Sequence, residues 1–164
     1  MGDTTRVETK ILFYKRYEGK AKAIDYVNWA YQKLIDGSSV DSLKTLASFR
    51  EPLNQFEVED YFQRVIKEWK MPVPTHEECA KAYLHHLLRQ IVGEDRHVTH
   101  IAYEVYEVVR EHFNELNVWY DISEMIDEFH CGENRLRGNL TWEQFLSMIK
   151  REAEKQLESE FFLQ

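Results

Sequence analysis

Seven histidines and a surplus of carboxylates make metal binding the first chemistry to test against this sequence. His97, His100 and Glu104 stand three and four positions apart, which puts three ligand-type side chains on one helical face. A metal-dependent enzyme using this His/Glu cluster is therefore one reading of the chain. His85 and His86 on the preceding helix offer a further ligand, but adjacent helical positions diverge by about 100°, so they cannot both face one site. The sequence contains neither HExxH nor the repeated ExxH pair of di-iron bundles. No metal and no other cofactor is expected.

Other reactive residue types give less. His112 continues an apolar stripe and reads as a hydrogen-bonded core histidine rather than a base. Cys79 falls in the first turn after Thr75, where a helix dipole favours a thiolate, yet no base is placed beside it. Cys79 and Cys131 are far apart and outside any CxxC pair, so both read as free thiols. Nucleophile elbows, phosphate-cradling glycine loops and dinucleotide fingerprints are absent, and the six glycines are scattered singly. Residues 124–129 and 141–149 resemble the helices flanking an EF-hand calcium loop. The loop departs from that family, with His130 in place of the first Asp and Arg135 and Arg137 among the would-be ligands. Calcium binding is not expected.

Charge distribution is more informative. The net charge is −8. Residues 1–22 carry +3, whereas residues 98–130 carry −7, from Glu104, Glu107, Glu111, Glu115, Asp121, Glu124, Asp127 and Glu128 against Arg110. Such a field repels nucleic acid and anionic membrane and attracts basic proteins. The plainer reading is a solvated acidic surface that aids solubility. Trp119 and Tyr120, beside a helix break within this region, are candidate interface anchors.

The elements that must position these residues are helical. Val98, Ile101, Val105, Val108, His112 and Leu116 repeat at helical spacing, and neither proline nor glycine interrupts His97 to Leu116. His97, His100, Glu104, Glu107 and Glu111 form a second stripe, roughly 120° away, that faces solvent or a partner. Earlier helices are expected over 21–35 (Ile24, Val27, Tyr31 and Leu34 inward, Gly37 capping), from 38 to about 51, over 54–69, and over 75–92. Capping boxes are expected at Asn54, Thr75 and Thr141. Asp121 is expected to cap a short helix through His130, and a last helix buries Phe145, Met148 and Ile149. Residues 1–10 read as frayed, and 11–20 as helix or short strand.

Trp29-x4-Leu34-Ile35-x-Gly37, then Leu43-x2-Leu46-Ala47-Ser48 and Phe56-Glu57-Val58-Glu59-Asp60-Tyr61-Phe62, resembles small uncharacterised helical bacterial proteins of the toxin-immunity kind. The resemblance covers about residues 24–70 and rests on packing residues that carry no chemistry. It implies a cytoplasmic protein that masks a toxin domain, and it transfers no functional residue.

The expectation is thus an all-α fold: one compact helical domain over 11–164, of about six or seven helices with short connections. Its expected function is a non-catalytic, cytoplasmic binding protein with an acidic recognition face, an immunity protein being the kind the resemblance implies. The metal-dependent enzyme and a structural, self-associating helical protein are the alternatives. No apolar run approaches the roughly 20 residues of a membrane span, and the N-terminus lacks a secretory apolar region.

Overall fold

The computed structural model describes residues 2–93, 96–132 and 140–163. It is all-helical, with no strand among the described residues. The elements are α1 (Gly2–Tyr17), α2 (Ala23–Ile35), α3 (Asp41–Ser48), α4 (Gln55–Trp69), α5 (His76–Gly93), α6 (Val98–His112), α7 (Val118–His130), α8 (Trp142–Leu157) and the single turn α9 (Glu160–Leu163). Nine helical segments among the described residues exceed the six or seven expected, because α1 is a full helix and the C-terminal run divides into α8 and α9. The chain forms two compact units, Met1–Ala82 and Tyr83–Gln164. The sequence reading treated 11–164 as one domain; the two units are described in turn.

In the first unit, α1 settles the ambiguous stretch 11–20: Leu12, Phe13 and Tyr14 are buried on a helix, not a strand. The start expected to fray is helical from Gly2. Thr9 helps anchor it, being buried and accepting a hydrogen bond at its Oγ1 from Trp29 Nε1 at 3.1 Å. Phe62 of α4 is the aromatic hub. Its ring centroid lies 5.4 Å from Phe13, 4.8 Å from Tyr26 and 5.3 Å from Trp29. Burying a ring of this size contributes about 1.5–3 kcal/mol.

α2 packs on a different face from the one expected. Tyr26, Val27, Trp29, Ala30 and Lys33 are buried, whereas Ile24 and Tyr31 are exposed and Leu34 is half-buried. The helix is apolar on several sides, so spacing alone did not single out the packed one. Lys33 sits among these core residues at 1% exposure, its amine 3.8 Å from the Glu8 carboxylate and 4.0 Å from that of Asp36. Burial pushes its pKa down, and the two carboxylates oppose that shift. Gly37 (φ +99°) ends α2 as expected: Ser38 N–H returns to Lys33 O and Gly37 N–H to Leu34 O. At the end of α4 the same left-handed position is taken by Lys70, φ +53°, with Met71 N–H returning to Ile66 O.

The capping boxes form in full at Thr75 and Thr141, while at Asn54 only the bond from the Glu57 N–H to the cap side chain is present. Asn54 Oδ1 accepts from Glu57 N–H, and Thr75 exchanges both bonds with Glu78, as Thr141 does with Gln144.

In the second unit, the α6 stripe is buried at Val98, Ile101, Val105 and Val108, joined by Ala102 and Val109. The helix ends at His112, one turn before Leu116. Phe113 leaves helical geometry and buries its ring 5.0 Å from Phe161. α7 then begins at Val118, so Asp121 lies in its first turn rather than capping it. Ile122, Met125 and Ile126 are buried, as are Phe145, Ile149 and Ala153 of α8. Phe129 and Phe145 stack at 4.8 Å, which brings together the two helices that resemble EF-hand flanks. The interval 133–139 between them, with Arg135 and Arg137, lies outside the described residues.

Candidate functional site

The candidate surface is built by α6 and α7. Along α6, Glu104, Glu107 and Glu111 follow at three- and four-residue steps; along α7, Asp121, Glu124 and Asp127 follow at three-residue steps. Glu107, Glu111, Asp121, Glu124 and Asp127 are exposed, as is Glu115 between the helices; Glu104 and Glu128 are half-buried.

Glu104 is engaged within the unit. Its Oε2 accepts from the Tyr83 hydroxyl of α5 at 3.2 Å, and its Oε1 lies 3.2 Å from His100 Nε2. Tyr83 is held well above the usual phenol range, first by burial and then by the charge of Glu104.

The seam between the helices is aromatic. Tyr103 and Tyr106 of α6 meet edge to face at 5.7 Å, and Tyr106 meets Tyr120 of α7 in the same way at 5.2 Å. The Tyr103 hydroxyl donates to Asp127 Oδ2 at 3.4 Å, and the Tyr120 hydroxyl donates to Asn114 Oδ1 at 2.9 Å. The Asp127 charge, then desolvation, raises the Tyr103 pKa, and Glu107 adds to the rise. Tyr103 of α6 is thus tied to a carboxylate of α7, with exposed Glu107 one turn along its own helix. The Arg110 guanidinium, the one base of residues 98–130, lies 5.5 Å from the centre of the Tyr106 ring.

Two expectations about this region change. Trp119 is not an exposed anchor: it is fully buried, because α7 starts early enough to turn the indole into the core. Tyr120 remains at the surface, half-buried within the seam. Sequence reasoning passed over Tyr103 and Tyr106. Their signal was two aromatics three positions apart, lying between the buried and acidic stripes of α6.

The three candidate metal ligands are partly assembled. His100 and Glu104 meet, while His97 is the N-cap of α6, with left-handed backbone (φ +60°) and no capping bond from its side chain. His85 packs edge to face on Phe162 at 5.1 Å, and its pKa is lowered first by burial and then by Arg89. His112 is half-buried rather than core, 3.6 Å from Glu111. Cys79 is buried, which pushes its thiol up to about 11, the reverse of an activated nucleophile.

No family model, no curated protein and no solved structure matches the chain. Among the described residues no helix is long and apolar enough to cross a membrane.

Proposed function

We propose that the chain is a non-catalytic binding protein whose α6–α7 surface recognises a basic protein, as an immunity protein recognises a toxin domain. The observation that carries this reading is the α6–α7 seam, where the Tyr103 hydroxyl donates to Asp127 and exposed Glu107 lies one turn along α6. Rigid aromatic rings rimmed by exposed carboxylates suit lysine and arginine side chains, through ion pairing and cation–π contact. The seat of Arg110 over Tyr106 is an example from within the chain itself. Complementary charge of this kind accelerates association and selects partners more than it raises affinity.

The test is association kinetics with a basic partner isolated by pull-down, toxin domains encoded nearby being tried first. Reversal of Glu107 and Glu111 to Lys is expected to slow association at least tenfold at low salt, with a smaller effect at high salt. An unchanged rate would remove the acidic face from the account.

Self-association is the second reading, favoured by the exposed Tyr31 and Ile35 on α2 of the first unit (60% and 62% exposed). Light scattering of the wild type and of Tyr31→Glu/Ile35→Glu tests it. A wild-type monomer would end that reading.

A further inference from the structure

Two of the hollows in the first unit are both lined by Lys70, Met71 and Val73. The larger has a volume of about 680 Å³, and its most buried lining residues are Thr9 and Lys33. The smaller, of about 480 Å³, adds Phe13, Arg16, Ile66 and Lys67. These are the dimensions of small-molecule sites.

Their charge runs against that of the chain. In a protein of net charge −8, the cations Lys10, Arg16, Lys33, Lys67 and Lys70 line the two hollows. Glu78 is their one carboxylate among the described residues, and its Oε2 already accepts the Thr75 N–H at 2.8 Å. Glu8 and Asp36, the carboxylates beside Lys33, line neither hollow. Trp69, Met71 and Val73 supply apolar wall.

Lys70 adds a separate observation. It occupies the left-handed position after α4 that glycine occupies after α2, and a side chain is strained there. Lys70 stands where the two hollows share a wall, so its side chain is available to both.

We propose that this basic pair of hollows binds a small organic anion, a carboxylate or phosphate carried on an apolar body. Lys10 and Lys70 meet the charged group, Lys33 supplies positive charge at the floor, and Trp69, Met71 and Val73 hold the apolar body. The site belongs to the first unit and does not depend on the acidic surface of the second.

The experiment titrates the full chain with decanoate, monodecyl phosphate and 1-decanol, followed by calorimetry and tryptophan fluorescence. At least one anion is expected to bind saturably at one site, tenfold or more tighter than 1-decanol. The tighter of the two anions identifies the headgroup. Lys10→Glu/Lys70→Glu is expected to weaken the anion at least tenfold and leave 1-decanol unchanged. Lys70→Gly relieves the backbone strain, so it is expected to melt higher while binding the anion more weakly, which separates lost binding from lost fold. Absence of saturable binding by both anions, equal affinity for the alcohol, or indifference to the charge reversal would each overturn the proposal.

Discussion

Glu68 caps a helix other than its own: from the end of α4 its carboxylate accepts the Ser42 N–H of α3 at 3.2 Å and the Ser42 hydroxyl. The Asp41 N–H adds a third bond at 3.3 Å. Val40, at the N-cap of α3, offers no side-chain acceptor, so donors left open by α3 are satisfied from 26 residues away.

The Ser42 hydroxyl first, and then the two backbone amides, hold Glu68 below the usual carboxylate range. A carboxylate lowered in the folded state adds stability above its unfolded value of about 4.3, and that stability is lost as pH falls through the folded value. Glu68→Gln is therefore expected to melt below wild type at pH 6, and the gap is expected to close towards pH 3. Thermal melts across that range test it; a gap independent of pH would mean that the carboxylate charge plays no part in the cap.

Lys70 and Gly37 make a matched pair of left-handed helix ends. Lys70→Gly is expected to gain about 0.5–1 kcal/mol by relieving side-chain strain. Gly37→Ala is expected to lose about 1 kcal/mol, wholly from backbone strain, since a Cβ there meets nothing within 4 Å. Urea unfolding of both variants checks the opposite signs.

Trp119 is fully buried and its Nε1 has no hydrogen-bond partner among the described residues. Trp119→Ala is expected to cost about 3–5 kcal/mol in urea unfolding. Trp119→Phe is expected to cost less, because it removes an unsatisfied N–H along with the volume. Native stability in Trp119→Ala would return the indole to the surface.

At pH 8, a thiol reagent is expected to modify exposed Cys131 quickly and Cys79 only on unfolding. Cys79 is buried and its pKa is pushed up to about 11, so almost none of it is thiolate. Two fast thiols in the native protein would contradict this.

The legible parts of the fold were those where one physical signal stood alone. Thr75 and Thr141 are polar residues with a glutamate or glutamine three positions on, a pattern with one local solution, and both boxes formed. The α6 stripe separates valine and isoleucine cleanly from glutamate, so its buried face followed from spacing. On α2, Ile24, Tyr26, Val27, Trp29, Tyr31, Leu34 and Ile35 surround the axis, and a lysine lies within the packed face, so tertiary packing made the choice. The acidic residues of the candidate surface were visible as composition. The Tyr103–Asp127 and Tyr106–Tyr120 pairings were not, because they depend on how α7 returns along α6. The Glu68–Ser42 cap was equally hidden, since no local pattern announces a partner 26 residues distant.

Lys33 also bears on how this sequence can drift over generations. Only the lysine of these ion pairs is buried: Glu8 and Asp36 stay 47% and 37% exposed. An apolar side chain at position 33 would therefore leave carboxylates that water still solvates rather than buried unpaired charges, and the lysine codon AAG lies one base change from methionine. Mutation therefore offers position 33 an easy exit that folding does not oppose. In descendants that no longer need a positive charge at the floor of the hollow, methionine should appear there early. Lineages that keep lysine would mark where selection still acts on something other than stability.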